Sequence, residues 1–263
     1  MPDDVKAPKA IEDEPRYLTS VARGFRVLEE LSVAPGPLTL SELARSTGLT
    51  VPTVQRLTAT LTDAGYLEKE PDTKRYRSTV KTVDLLYSYL SRNEFAKTAW
   101  PHLVRLREEL KLDVSLSVPL GSSMIYVHRL PGYRGNFENT LPGKRLPMQL
   151  SASGRCHLAA KSDQDVQSFL ASSDLTPLTA RSLIEPEDIF AAIEESRANG
   201  YCLVEQETSL GLATIACPVT RGMEVVAGVS VHAPIAAASR ETLVERVLPT
   251  LVSVALAICS SSP

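Results

Sequence analysis

Three polar side chains, Thr53, Gln55 and Arg56, lie within a helical pattern and could hydrogen-bond to a large partner. The apolar positions of the same segment recur at the spacing of one helix face, and they are Val54, Leu57 and Leu61. At about 100° per residue, the polar side chains then point away from that face. Glutamine and arginine can pair with base edges in the major groove of DNA. The spacing therefore predicts a helix that contacts DNA.

The cysteines and histidines form no catalytic or metal-binding pattern. Cys156, Cys202, Cys217 and Cys259 are widely spaced, without a C-x-x-C pair or a paired histidine spacing. Cys156 and His157 are sequence neighbours, which does not by itself make a catalytic dyad. The sequence has no G-x-S-x-G, no H-E-x-x-H and no glycine-rich phosphate loop. We expect no enzyme activity, no metal and no cofactor, and reduced thiols as in a cytoplasmic protein.

A second candidate site combines a run of small residues with a strand histidine. The run Ser151–Gly154 is expected to begin a helix, whose free amides favour an anionic group. Ser230 and His232 share one strand face, because side chains alternate with a period of two. Such groups could be the polar part of a mostly apolar small-molecule pocket. Two alternatives stay open: small residues also permit close packing, and a strand histidine is often a structural hydrogen-bonding group.

Two helices are predicted before the DNA-contacting helix, and a basic hairpin is predicted after it. The first follows from helical spacing of Val21, Phe25, Leu28 and Leu31. The second has a capping box at Thr39 and Glu42 and ends at Gly48. After Gly65, "YLEKEPDTKRYRST" indicates two short strands around a turn, with Lys74, Arg75 and Arg77 at or beyond its tip. Three helices and a basic hairpin make a winged helix-turn-helix, which some proteins use for protein contacts instead of DNA.

The rest of the chain predicts a linker helix and an α+β domain. "VKTVDLLYSYLSRNEF" has one apolar side, as expected of a helix between two domains. Strand patterns around Gly121, at "ATIACPV" and at "VVAGVSVHA" alternate with helical patterns at Asp163–Ala171, Glu187–Asn199 and Arg240–Ile258. Strands bracketed by helices predict an antiparallel sheet. The expected domains are a disordered tail at 1–15, the winged domain at 16–78, the linker helix at 79–93 and a second domain at 94–263.

Composition and charge fit this division. The 263 residues are 43% hydrophobic and 22% charged, as in a globular protein that is not membrane-embedded, and no apolar stretch reaches the length of a membrane span. The net charge is −3, yet residues 16–78 carry nine Lys or Arg and seven Asp or Glu. A mildly basic first domain on an acidic body is compatible with DNA binding by the first domain alone.

The first domain resembles the amino-terminal domain of the IclR family of bacterial transcriptional regulators. The resemblance rests on "RGFRVLE", "LTLSELARSTGL", "TVQRL" and "GYLEKEPDTKRYR" and covers nearly 60 consecutive residues. It implies groove contacts by Thr53, Gln55 and Arg56. It implies phosphate contacts by Arg23, Lys74 and Arg75. The sequence departs from the family at Val51 and Pro52, where Lys and Ser are frequent, which leaves the base specificity undetermined.

The second domain resembles the effector-binding domain of the same family, which has a GAF-like sensor fold. The matching segments are "GKRLPMQLSASGRCHLA", "NGYCLVEQETSLGLATIACPV" and "VVAGVSVHAPI". The resemblance implies a pocket lined by Leu150, Ala152, Ser153, Leu212, Thr214, Ala216, Ser230 and His232. The family often has cysteine in place of Thr214 and serine in place of His232, so a reshaped pocket is expected. The sequence looks most like family members that respond to aromatic acids. Phe137, Met148 and Tyr126 are candidates to pack on the aromatic ring of such a ligand.

These expectations combine into a transcriptional regulator. Its binding to double-stranded operator DNA would be controlled by a small organic acid, with an aromatic acid such as a hydroxybenzoate as the best guess. The alternative is a small-molecule sensor that acts through protein contacts. The family resemblance implies homodimers that can pair into tetramers, with the linker helix at a dimer interface. A repressor and an activator are both compatible with the sequence.

Overall fold

The computed structural model describes residues 18–132 and 141–261, which divide into two compact units at Arg92 and Asn93. The tail expected at 1–15 and the ring-packing candidate Phe137 lie outside the described residues. The fold combines an amino-terminal helix-turn-helix unit with an α/β unit built on an antiparallel sheet, as predicted.

The first unit is a winged helix-turn-helix. Its helices are α1 (Thr19–Val33), α2 (Leu40–Thr47) and α3 (Val51–Asp63), and its wing is the antiparallel pair β1 (Leu67–Lys69) and β2 (Tyr76–Ser78). A 3₁₀ turn at Val80–Thr82 leads into α4 (Val83–Arg92). The core of the unit contains Val27, Leu43, Ala44, Val54, Leu67 and Tyr76. All three helices and both wing strands are therefore held by one small core.

Local signals fix α2 and its turn. The Thr39 side chain accepts a hydrogen bond from the Glu42 amide, and the Glu42 carboxylate accepts one from the Thr39 amide, which confirms the capping box. Gly48 ends the helix with φ +67°, a left-handed conformation that glycine adopts without a steric penalty. These two features set the sharp turn between α2 and α3.

The buried face of α1 differs from the predicted apolar stripe. Leu28 and Leu31 pack against the core, but Val21 and Phe25 are 51% and 57% exposed. The fully buried apolar position is Val27. Helical spacing identified the helix, but it did not separate the core side chains from apolar side chains on an adjacent face.

The second unit is built on a six-stranded antiparallel sheet of order β5-β4-β3-β8-β7-β6. Its strands are β3 (Asp113–Leu120), β4 (Ser123–Leu130), β5 (Arg145–Pro147), β6 (Cys202–Glu205), β7 (Leu212–Arg221) and β8 (Glu224–Pro234). The central pair β3 and β8 aligns Ser115 with Ser230 and Asp113 with His232. The pair β7 and β8 aligns Thr214 with His232 and Ala216 with Ser230. This register places polar residues of three strands side by side.

This unit also contains helices. They are α5 (Glu94–Leu110), α6 (Ala152–Ala159), α7 (Asp163–Ser172), α8 (Pro186–Asn199), α9 (Arg240–Thr242) and α10 (Leu248–Ser261), with a π-helical turn at Leu243–Val247 before α10. Of these, α5, α6, α8 and α10 pack on the sheet. A short 3₁₀ helix at Met148–Leu150 precedes α6. The start of α6 lies very close to β8, because a Cβ atom added at Gly228 would lie 2.6 Å from the Cβ of Ser153. Glycine at this position thus permits the close contact between α6 and the sheet.

The last helix is strongly apolar. Within the helical segment Arg240–Ser261, an 18-residue window has a mean hydropathy of 1.7, so these 22 residues could span a membrane by length and composition alone. In the structure it packs instead against α5 and β7, with Leu251, Ala255 and Ile258 buried. Its other face, which includes Val252 and Leu256, is exposed.

Candidate functional site

The outward face of α3 carries two of the predicted DNA-contacting side chains. Val54 and Thr58 are fully buried, and Gln55 and Arg56 between them are exposed. Thr53 is only half-buried, and its hydroxyl lies 2.9 Å from the hydroxyl of Thr50 at the start of the helix. Gln55 and Arg56 therefore have the exposure that contact with a DNA groove requires.

Arg23 on α1 lies on the same surface as α3 residues. Arg23, Thr53 and Arg56 line one groove of about 620 Å³. The floor of this groove is apolar and includes Phe25 and Leu57. The structure thus brings together three of the predicted DNA-contacting residues, which span 33 positions of the sequence.

Lys74 and Arg75, both predicted to contact phosphates, have different environments in the wing. Lys74 is exposed at the hairpin turn, with φ +57°. The Arg75 guanidinium donates to both carboxylate oxygens of Glu42, at 3.0 and 3.4 Å, and to the Pro37 carbonyl at 2.8 Å. Lys74 therefore extends towards solvent, whereas Arg75 ties the wing to the start of α2. A phosphate contact by Arg75 would have to compete with Glu42.

The second unit contains a small buried cavity between α6 and the sheet. Its volume is about 10 Å³, enough for one water molecule. Ala152 and Ser153 line it from α6, and Thr214 and Ser230 line it from β7 and β8; all four belong to the set proposed from the sequence for effector binding. Other lining residues are Ser117, Met124, Tyr126, Leu146, Ser151, Val204 and Thr208. The cavity therefore has an apolar side and a hydroxyl-rich side.

Other predicted pocket residues do not line this cavity. Leu150 and Ala216 are fully buried, and Ala216 packs in a cluster with Ala152 of α6. Leu212 lies at the start of β7 and is half-buried. His232 lies behind the cavity wall, where it holds two of the lining residues. For these four residues, direct contact with an effector stays a prediction.

A hydrogen-bonded chain of four side chains runs along the hydroxyl-rich side. The Thr214 hydroxyl lies 2.9 Å from His232 Nδ1, and the Ser115 hydroxyl lies 2.8 Å from His232 Nε2. Ser115 also lies 2.8 Å from the hydroxyl of Ser230. All four residues are buried. The histidine therefore joins two hydroxyls that line the cavity.

The environment of His232 keeps its imidazole neutral. Burial lowers its pKa to about 3, with further lowering by the positive charges of Arg129 and Lys144. The ring packs edge-on against Tyr126, with centroids 6.0 Å apart, and the Arg129 guanidinium lies 4.3 Å from the centre of the Tyr126 ring. A neutral imidazole donates one hydrogen bond and accepts one.

A buried ion pair next to the cavity was not found from the sequence. The Arg155 guanidinium donates to both oxygens of Glu207, at 2.8 and 2.6 Å, and its Nε donates to the Gln149 carbonyl at 2.8 Å. The two side chains are only 2% and 8% exposed. Glu207 also accepts a hydrogen bond from the Leu183 amide. Since Thr208 follows Glu207 and lines the cavity, the ion pair fixes one wall of the cavity.

The side chains of Cys156 and His157 point to different partners and do not form a dyad. The Cys156 thiol donates to the Ala216 carbonyl, and burial raises its pKa well above its usual value. Nδ1 of His157 lies 3.0 Å from the Val225 carbonyl oxygen. Within residues 18–132 and 141–261, no group of three or more His, Cys, Asp or Glu side chains could hold a metal ion.

Two family models match the chain. The IclR helix-turn-helix domain matches residues 20–71, and the model described as bacterial transcriptional regulator IclR C-terminal matches residues 87–260. The chain belongs to the IclR family. It is a DNA-binding transcriptional regulator, which confirms the first of the two functions considered from the sequence.

Similar proteins extend this family assignment. The Pca regulon regulatory protein of Pseudomonas putida is 30% identical over 253 residues, which cover 95% of this chain and 86% of that protein. The crystal structure of an IclR family transcriptional regulator from Brucella abortus is 26% identical, with a TM-score of 0.82 and coverage of 98% and 97% of the two chains. An IclR homolog from Microbacterium hydrocarbonoxydans, solved in complex with 4-hydroxybenzoate, is 22% identical, with a TM-score of 0.73 and coverage of 92% and 98%. The last of these supports the fold alone.

Proposed function

We propose that this IclR-family regulator binds its operator through α3 and the wing. We further propose that a small organic acid controls this binding, and our best candidate is an aromatic acid such as a hydroxybenzoate. The regulator acts in the cytoplasm and has no catalytic role. The observation that carries the effector proposal is the cavity between α6 and the sheet, which combines apolar side chains with buried hydroxyls. The winged helix-turn-helix at 16–78, the linker at 79–93 and the sensor at 94–263 are the corresponding domains.

On DNA, we assign Gln55 and Arg56 to base edges in the major groove, with Thr53 beside them. Arg23 and Lys74 are assigned to phosphates, because both are basic and lie on the α1 and wing sides of α3. Arg75 is the weakest of the phosphate candidates, since its guanidinium is paired with Glu42.

In the sensor unit, the start of α6 supports an anionic ligand. Ser151 and Ser153 line the cavity at the amino terminus of this helix, where backbone amides favour negative charge. Arg129 and Lys144 add positive charge near His232. A cavity of about 10 Å³ cannot hold a benzene ring, so effector binding must move its walls. This requirement gives the effector a conformational change through which it can act on DNA affinity.

We take the aromatic acid from the name of one relative and the ligand of another. One is named for the pca regulon, and another was solved with 4-hydroxybenzoate. Their names and ligands describe those proteins, and the aromatic effector is our proposal for this chain.

We further propose a homodimer or a dimer of dimers. The helix α4 has no buried residue, and it exposes Val83, Leu86 and Tyr87, which share one face at the spacing i, i+3, i+4. Contiguous apolar side chains on a surface helix are typical of an interaction site. A dimer would place two copies of α3 at a fixed spacing on the operator.

An electrophoretic mobility shift with the upstream region of the protein's own gene tests the DNA assignment. We expect a specific, salt-sensitive shift that Arg56→Ala abolishes. We expect Gly36→Ala to leave the shift unchanged, because a Cβ at Gly36 would contact nothing within 4 Å. Equal losses on specific and random DNA for Arg56→Ala would contradict a role in base recognition. Repeating the shift with a panel of aromatic and aliphatic acids tests the effector class.

A further inference from the structure

The hydrogen-bonded chain behind the cavity determines what the cavity can offer a ligand. Its three short contacts, of 2.8 to 2.9 Å, join Thr214 to His232, His232 to Ser115, and Ser115 to Ser230. The Ser230 hydroxyl also lies 3.4 Å from Nε2 of His232, a longer contact to the nitrogen that Ser115 already occupies at 2.8 Å. Each short contact takes one hydrogen atom. Three hydroxyls and one neutral imidazole carry four polar hydrogens in total. One hydrogen is therefore left over, and it belongs to one end of the chain.

The two ends of the chain are the two members that line the cavity. If the imidazole hydrogen is on Nδ1, it is donated to Thr214, and the Thr214 hydroxyl then donates into the cavity while Ser230 offers a lone pair. If the hydrogen is on Nε2, it is donated to Ser115, and the roles of Thr214 and Ser230 are exchanged. In both tautomers the pair offers one donor and one acceptor.

We propose that His232 is a positioning residue that makes Thr214 and Ser230 act as one donor and one acceptor, so that they select a phenolic or alcoholic hydroxyl group of the ligand. Such a group also has one hydrogen to donate and lone pairs to accept, and it matches either tautomer. A carboxylate only accepts, so it would face the lone pair of one of the two hydroxyls. The inference rests on the proposed effector role of this cavity and names the ligand group that is bound there.

The carboxylate of a hydroxy acid would then bind away from Thr214 and Ser230. The amides at the start of α6, beside Ser151 and Ser153, lie in the same cavity wall and favour an anion. The ligand class is therefore a hydroxy acid with its hydroxyl at β7 and β8 and its carboxylate towards α6.

The charges around His232 keep its imidazole neutral, so that Thr214 and Ser230 together offer one donor and one acceptor. An imidazolium would add a fifth hydrogen and turn both Thr214 and Ser230 into donors, which would suit a carboxylate. The residues Arg129 and Lys144 oppose this protonation, and burial opposes it most. The carboxylate of Asp113, opposite His232 on β3, accepts a hydrogen bond from the Gly132 amide. Tyr126 packs edge-on against the imidazole, and burial raises its pKa, so it adds no charge at neutral pH. Its hydroxyl also pairs with Ser115 and brings its own hydrogen to that contact, which leaves the count of one spare hydrogen unchanged.

Nitrogen NMR of histidine-labelled full-length protein tests the chain without any ligand. The four histidines are distinguished by the signal that His232→Phe removes. We expect one protonated and one unprotonated ring nitrogen for His232 at pH 7. An imidazolium pattern would overturn the inference while leaving the effector role of the cavity intact.

Calorimetric titration with 4-hydroxybenzoate, 4-fluorobenzoate and terephthalate tests the ligand selection. Wild type should bind the hydroxy acid at least about tenfold more tightly than the other two, because a site built to bind a hydroxyl rejects analogues that lack it. Thr214→Val should remove this preference, and Thr214→Ser should retain it. His232→Phe, checked for folding by circular dichroism, should reduce the preference for the hydroxy acid over terephthalate about tenfold.

The outcomes separate the two proposals. Binding of these acids without a preference for the hydroxyl would overturn the inference and leave the aromatic effector standing. No binding by any of the three acids would reject the aromatic effector, and the inference would fail with it. If His232→Phe does not fold, the Thr214→Val and Thr214→Ser pair decides the question.

Discussion

Replacing Arg155 by methionine tests whether the Arg155–Glu207 ion pair supports the cavity wall. The change removes three charge-assisted hydrogen bonds and leaves the Glu207 carboxylate buried with the Leu183 amide as a remaining partner. Removing one partner of a buried ion pair typically costs about 3–5 kcal/mol. Since domains are stable by about 5–15 kcal/mol, we expect a large loss of stability in the second unit.

The single tryptophan makes this loss measurable in the full chain. Trp100 lies on α5, so its fluorescence during urea unfolding reports on the second unit. The double variant Arg155→Met with Glu207→Leu should be more stable than Arg155→Met alone by about 1–4 kcal/mol, because it leaves no unpaired buried charge. As a control, Lys97→Met breaks an exposed ion pair with Glu94 and should change stability by less than about 0.5 kcal/mol.

Two results would refute this reasoning. A loss below about 1 kcal/mol in Arg155→Met would mean that the buried carboxylate finds water or another partner at little cost. Additive losses in the double variant would mean that the two side chains act independently, which their bidentate contact contradicts.

Three further predictions concern other parts of the chain. Gly228→Ala should destabilise the second unit by about 1–3 kcal/mol in urea unfolding followed by Trp100, because the new methyl group would overlap Ser153; an unchanged midpoint would show that α6 can move away. Lys74→Ala should weaken binding to all DNA sequences alike and reduce the slope of log K against log salt by about one per protomer, and a sequence-dependent loss would argue against a phosphate contact. Between pH 6.5 and about 3 the unfolded chain binds a proton at His232 and the folded chain does not, so this residue lowers stability as pH falls through that window. Folded His232→Phe should therefore lose less stability than wild type from pH 7 to pH 5 in urea titrations, by about 2 kcal/mol, and equal losses would contradict a neutral buried imidazole.

The amino-terminal unit was predictable because its signals are local. A capping box at Thr39 and Glu42, a left-handed glycine at position 48 and the turn before Lys74 each act within a few residues. The exposure of Phe25 was not predictable, since an apolar side chain at helical spacing does not reveal which neighbours cover it. The partner of Arg75 was also hidden, because Glu42 lies 33 residues away.

The candidate site in the second unit was predictable only in part. Thr214 and Ser230 line one cavity, and period-two alternation explains which face of its strand each residue occupies. Ser115 was missed because its role depends on the register between β3 and β8, which joins residues 115 positions apart. The Arg155–Glu207 pair was missed for the same reason, as no spacing rule connects a helix to a loop 52 residues later.

The link between Arg75 and Glu42 has a consequence for operator architecture. Glu42 both closes the capping box of α2 and holds the wing, and Leu38 pairs through its backbone with Tyr76 of β2. The wing is therefore anchored at two points to the segment that begins the helix-turn-helix. A hairpin anchored in this way cannot swing to reach phosphates at different distances from the bases beneath α3. Operators of this regulator should tolerate changes of sequence under the wing, but not insertions or deletions between the wing and the bases that α3 contacts.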